Sequence, residues 1–383
     1  ALATGGAVVA GQYIGRKDEK SACKAATQLV WFVSLSAVAI MILVYFGKDI
    51  ILNQVFGHIT AEVKGHADIY LLIVTASIPF IALYNGGAAI FRAMGNSQVS
   101  MRVSLLMNAI NVTGNAILVF GLRIGTAGVA IPTLISRMVA AIVITVLLCN
   151  QTRILHIERT LKIRFDGRMI RKILAIGVPN GLENSMFQLG KILVLSLVST
   201  FGTYAIAANA VSNAIALFQI LPGMAISLAI TTVISQCVGA NDYEQVHYYL
   251  KKLLAIIYVA MVGTVALIFL ALPLILKAYN LSDQTAAAAT NIIHFHGISA
   301  MIIWPLSFAL PAAYRAAGDA KACMYTSIVS MWIFRIGFSY LVGKYMGLGV
   351  FGVWVAMVID WVVRAICFII RYFNGKWKHG AIV

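Results

Sequence analysis

Residues 91–96 read FRAMGN, and residues 314–319 read YRAAGD, 223 positions later. Two more pairs keep almost the same spacing. QYIGRKD at 12–18 returns as QCVGAND at 236–242, and GTAGV at 125–129 returns as GVFGV at 349–353, each 224 positions on. Three matches in one order at nearly one offset mark an internal repeat.

The chain between these motifs is apolar. Windows free of Asp, Glu, Lys and Arg, or holding one or two of them, run over 25–46, 69–91, 103–122, 124–152, 173–241, 253–276, 284–314, 322–343 and 345–370. The long window 173–241 holds two spans with a turn near Gly202-Thr203, so the sequence predicts ten full membrane spans after a partial one at the start. Period-2 alternation is lacking, which speaks against an outer-membrane barrel. All seven prolines fall inside or at the edges of these windows, where they make kinks.

Composition agrees. Of 383 residues, 61% are hydrophobic and 11% charged, roughly half the charged fraction of a soluble domain. This excludes a disordered chain, an ordinary cytosolic enzyme and a nucleic-acid-binding domain. The five cysteines lie far apart and form no CxxC pair, so neither a zinc site nor a disulfide framework is expected.

The net charge of +16 is explained by topology. With alternate loops placed on opposite sides, 20 Lys and Arg fall on one side and 5 on the other, with Arg137, Lys191, Arg335 and Arg364 inside spans. By the positive-inside rule the basic side is cytoplasmic, the C-terminus included. The most basic stretch, RILHIERTLKIRFDGRMIRK at 153–172, reads as a partly amphipathic connector on the membrane surface, in contact with anionic lipid.

The repeat interval contains six spans, an even number, so both halves share one orientation. This gives a truncated first bundle over 1–150 (spans two to six), a linker over 151–172, a second bundle over 173–375 (spans seven to twelve) and a tail over 376–383. Repeat logic places about 55 residues, the first helix and part of the second, ahead of Ala1. Two six-helix halves around a cleft are the usual build of an alternating-access carrier.

Only two carboxylates lie well within spans. A charge there costs on the order of 2.5–3.5 kcal/mol on insertion scales, so each is a candidate site. Glu183 follows Pro179 by one turn, and Asn180, Glu183, Asn184 and Gln188 give that helix a polar stretch suited to Na⁺ or a proton. Asp360 precedes Arg364 by four, so the two can pair on one helix face. Lys191, Arg137 and Arg335 are expected to snorkel to the interface. His294 and His296 flank Phe295, which suits packing or an outer-side proton relay better than a metal site. Tyr84, Phe218, Met224, Trp304 and Phe308 are candidates for a cavity lining. Arg92 and Arg315, each followed by glycine three residues on (Gly95, Gly318), end spans at tight turns and are candidates for an inner gate.

Several segments resemble the multidrug and toxic compound extrusion family, within the superfamily that also holds polysaccharide and lipid flippases. They are TGGAVVAGQYIGRKDEKSA at 4–22, FRAMGNSQVSM at 91–101, GTAGVAIPTLIS at 125–136, IGVPNGLENSMFQLGK at 176–191 and YRAAGDAKACM at 314–324. The resemblance covers nearly all of 1–375 and implies two six-helix bundles around a V-shaped cavity. It implies export of amphipathic, often cationic organic compounds, driven by inward Na⁺ or H⁺ flux, with no ATP and no resident cofactor or metal. No Walker A sequence is present. The family's acid on the fifth helix, four residues after an Asn, is Asn115 here, following Asn111. The expected setting is a monomer in the bacterial inner membrane, with a small organic molecule and lipid as partners and no nucleic acid. The alternative is a flippase of lipid-linked oligosaccharide or lipid. A membrane-embedded enzyme would need a GxSxG or HExxH constellation within spans, and none is present.

Overall fold

The computed structural model describes residues 1–55, 60–158 and 164–383, which are mostly helical and contain no strand. Among the described residues, eight helices are long and apolar enough to cross a membrane, or nine when a bent pair is joined. The fold class is the all-α polytopic membrane protein expected from the sequence.

Contacts divide the chain into two units, Leu2–Leu174 and Ala175–Val383, the latter with Ala1. The first holds α1 (Leu2–Gly15), α2 (Glu19–Ile50), α3 (Ala61–Ala76), α4 (Ile78–Ala93), α5 (Ser97–Asn115) and α6 (Ala127–Leu148). Small residues let its backbones approach closely. A Cβ on Gly6 would sit 2.3 Å from a Leu29 methyl of α2, and one on Gly87 of α4 would sit 2.8 Å from Ile144 of α6.

The window 69–91 is not one straight helix. It breaks between α3 and α4 with a bend of 41°. Pro79, in the first turn of α4, cannot donate to the preceding turn. Ser77 Oγ bonds the Val74 carbonyl at 2.6 Å and accepts a hydrogen bond from Arg137 Nη1 at 2.7 Å. Arg137 therefore pins the break instead of snorkelling.

The basic connector is not a free surface segment. Leu155 is fully buried, Gln28 of α2 donates to the Arg164 carbonyl at 2.6 Å, and Lys24 forms an ion pair with Asp166. Asp166 also accepts from the backbone N–H groups of Arg168 and Met169, at 2.9 and 3.2 Å, capping the next helix. Lys24 foremost, then these N–H groups, hold its carboxyl below the ordinary range. Arg159 and Lys162 of this stretch lie outside the described residues.

The second unit holds most of α7 (Gly167–Ser199), then α8 (Thr203–Gly239), α9 (Tyr243–Ala278), α10 (Asp283–Trp304), α11 (Leu310–Ala316), α12 (Ala320–Ser330) and α13 (Gly349–Asn374). Its core joins Ala208, Val211 and Ile215 of α8 to Leu272 and Leu276 of α9 and Ala289 and Ile293 of α10. The one expected span outside the apolar set is α7, 33 residues long but interrupted by Asn180, Glu183, Asn184, Gln188 and Lys191. Large apolar side chains point outward in both units, Phe46 at 85% and Leu270 at 81% exposure, as a lipid-facing surface requires.

The repeat extends to backbone conformation. Positive φ occurs at Lys17, Gly95, Arg123 and Gly125 in the first half, and at Asn241, Gly318, Gly347 and Gly349 in the second. Asn96 N–H bonds the Phe91 carbonyl at 2.9 Å and Asp319 N–H bonds that of Tyr314 at 2.8 Å, closing the same helix-ending turn. Asp18 and Asp242 cap α2 and α9 alike, each accepting at 3.0 Å from the residue three places on. The offset grows from 223 to 224 between residues 319 and 349. There the second half has two π-helical turns, Met331–Gly337 and Ser339–Tyr345, against one in the first, Ala116–Gly121. A π turn is wide enough to hold one extra residue.

Candidate functional site

The site is built from α7. Its Asn180, Glu183, Asn184, Phe187 and Lys191 recur at spacings of three and four, so they share a face. That face lines a cleft of about 530 Å³ inside the second unit. Met224 of α8, Trp304 of α10, Phe308 and Trp361 of α13 supply apolar wall, and Trp304 and Phe308 stack at 5.4 Å.

Among the described residues Glu183 is the sole carboxylate on the lining, and its side chain is 15% exposed. Its Oε2 accepts from Arg315 Nη1 at 3.3 Å. The structure thus joins a residue expected in coupling to one expected in a gate, 132 positions away. Arg92, the repeat counterpart of Arg315, has no ion-pair partner among the described residues.

Lys191 and Arg335 also face the cleft, contrary to the snorkelling expected of them. The Lys191 ammonium lies 5.0 Å and the Arg335 guanidinium 4.9 Å from the Phe187 ring centroid. One ring, that of Phe187, thus meets both cations.

Asp360 and Arg364 pair as the i, i+4 spacing predicts, with Arg364 Nε donating to Asp360 Oδ1 at 3.3 Å. Ser330 Oγ donates to the same oxygen at 2.5 Å, and Arg364 Nη2 to the Ser327 carbonyl at 3.3 Å. Arg364 reaches the cleft, over the Phe308 ring at 5.0 Å, but Asp360 does not. Asp360 is fully buried and its Oδ2 has no hydrogen-bond partner among the described residues.

Other expected residues lie elsewhere. Gln188 is exposed and off the lining. Asn111 and Asn115 belong to the first unit, where Asn111 donates to Thr133 Oγ1 and Asn115 donates to Asn111, both at 3.1 Å. Gly95 and Gly318 make the left-handed corners of their turns. Of the proposed lining aromatics, Trp304 and Phe308 reach the cleft with Met224, whereas Phe218 lines a separate apolar pocket and Tyr84 is buried against the Ser100 carbonyl in the first unit.

His296, which the sequence suits to packing or an outer-side proton relay, lines the cleft. Gln219 donates to the Ile293 carbonyl at 3.2 Å, which leaves its oxygen to accept from His296 Nδ1 at 2.5 Å. His296 thus carries its proton on Nδ1. The rings of Trp354 and Trp361 meet it edge-on at 5.4 and 5.3 Å. The signal for it, as for Arg335, was a polar side chain within an apolar span.

The profile of the MatE family matches residues 1–117 and 179–341. The chain belongs to the MatE family. Among MatE relatives, the uncharacterized transporter YisQ of Bacillus subtilis is 27% identical, over 98% of this chain and 83% of its own length. The probable multidrug resistance protein NorM of Thermotoga maritima is 22% identical, over 100% of this chain and 82% of its own. The fold matches the outward-facing conformation of a multidrug resistance MATE family transporter of the MOP superfamily, with a TM-score of 0.90 at 21% identity, over 97% of this chain and 83% of that one. As a MatE member, the chain is a multi-pass membrane transporter for small molecules and not an enzyme.

Proposed function

We propose that this protein is a Na⁺- or H⁺-coupled antiporter that exports amphipathic organic compounds by alternating access. It would act as a monomer in the bacterial inner membrane, with the basic loops and C-terminus cytoplasmic. The observation that carries this reading is the single cleft carboxylate, Glu183, held by Arg315 at 3.3 Å. A cation or proton taken up by Glu183 would free Arg315 and loosen α11 from α7, which gives ion binding a route to the arrangement of the bundle.

Transport in proteoliposomes tests it. Fluorescent amphipathic compounds of both charge signs would be followed under imposed Na⁺ and pH gradients, wild type beside Glu183→Gln. Gradient-driven movement that Glu183→Gln abolishes, with the protein still inserted, is the expected result. No movement under either gradient overturns the reading, and movement indifferent to Glu183→Gln places coupling elsewhere.

A lipid or lipid-linked oligosaccharide flippase is the second reading. The basic side chains of the cleft favour it, because such cargo can carry a phosphate or pyrophosphate head.

The resemblance leads one to expect cationic cargo. The cleft offers such cargo one carboxylate, already paired, beside Lys191, Arg315, Arg335 and Arg364.

A further inference from the structure

The charged groups on the cleft wall are unbalanced. Four are cationic, Lys191, Arg315, Arg335 and Arg364, and one is anionic, Glu183. Two of the cations are already answered: Arg315 by Glu183, and Arg364 by the buried Asp360 behind it, both at 3.3 Å. Lys191 and Arg335 have no carboxylate within 4.0 Å among the described residues. Both lie about 5 Å from the centroid of the Phe187 ring. Two like charges gathered on one ring, on a largely apolar wall, repel each other. An anion placed between them relieves that repulsion. A cation placed there adds a third positive charge to the same space.

The rest of the wall specifies what the anion is attached to. Trp304 and Phe308 stack, and Trp361 meets Phe308 edge-on at 5.6 Å, so a flat apolar body finds aromatic surface on α10 and α13. The cleft volume of about 530 Å³ suits a molecule of drug size.

We infer that the cleft binds an amphipathic organic anion, its carboxylate, sulfonate or phosphate held by Lys191 and Arg335 and its aromatic body lying on Trp304 and Phe308. The cargo is a free small molecule, since the wall provides aromatic surface for a flat body of limited size. For transport, this inference rests on the exporter reading above. For binding, it stands on the cleft alone.

Binding is measured first, on purified protein in detergent. The probes are three aromatic anions, carboxyfluorescein, naphthalenesulfonate and umbelliferyl phosphate, with ethidium as the cation. At least one anion binds more tightly than ethidium. Lys191→Gln and Arg335→Gln each weaken that anion by about ten-fold, the loss of one charge-assisted contact, and leave ethidium unchanged or tighter. Lys191→Arg and Arg335→Lys keep the charge and retain most of the anion affinity, which separates lost charge from lost folding. Preference for ethidium over all three anions overturns the inference. So does anion binding that both Gln variants leave within two-fold, or displacement of the bound anion by a lipid-linked pyrophosphate and by no free aromatic anion. The proteoliposome assay then separates the two readings: anion binding without gradient-driven movement of any probe removes the exporter and leaves the binding site.

Discussion

Arg315 Nη1 lies 3.3 Å from Glu183 Oε2, tying the helix end before the YRAAGD turn to the polar face of α7. Both side chains are about 15% exposed, so the pair is shielded enough to contribute and open enough for an ion or cargo to reach. Glu183→Gln and Arg315→Met should each lower stability by about 1–2 kcal/mol, and the double variant by less than their sum, with a coupling of about 1 kcal/mol. Thermal unfolding in detergent across the four proteins measures this. Strict additivity would mean that the contact contributes nothing.

The two hexapeptide turns should respond unequally to alanine. Gly95 has φ +78° with open space where a Cβ would go, so Gly95→Ala should cost about 1 kcal/mol for the left-handed backbone alone. Gly318 has φ +95°, and a Cβ there would fall on the Gly380 carbonyl oxygen. Gly318→Ala must therefore also displace residues near 380, and its melting temperature should fall several-fold further than that of Gly95→Ala.

Removing the Asp360 charge should be more harmful than removing the whole pair. Asp360→Asn leaves Arg364 buried without its counter-ion, at a cost of about 3 kcal/mol. Asp360→Leu combined with Arg364→Met should recover much of that loss in the same unfolding assay. If the double variant is as unstable as Asp360→Asn, the Ser330 and Ser327 hydrogen bonds matter more than the charges.

Docking of the basic connector on α2 should depend on pH. The Asp166 carboxyl is held below its ordinary value by Lys24 and by the N–H groups it caps. A lowered pKa stabilises the docked state fully above the unfolded value, about 3.9, and the effect is lost as pH falls through the folded value. Amide exchange over residues 164–170 should therefore quicken only below about pH 4, and Asp166→Asn should exchange quickly throughout.

Much of this molecule is legible in its sequence. The FRAMGN and YRAAGD pair announces the repeat, and the structure realises it down to matching positive-φ residues. The Pro179 to Lys191 stretch announces a polar helix face, and five of its residues line the cleft. The fate of the intramembrane cations was not legible. Periodicity says which residues share a helix face, but not which neighbour that face meets. Arg335 could equally have run along its helix to the interface, and only the position of Phe187 decides against that. The contact of Glu183 with Arg315 joins helices far apart in sequence, and no local signal specifies it. The break at Ser77 was hidden because Pro79 is equally compatible with a mild kink.

The two halves agree at their corners and differ in their interiors. Where the second has Asp360, Trp361 and Arg364, the first has Ser136, Arg137 and Ala140 at the same repeat positions. Both halves keep the turns that end their helices, while these interior side chains differ. If cargo binds where we infer, a change of cargo asks for new side chains around Phe187 and leaves the helix-ending turns as they are.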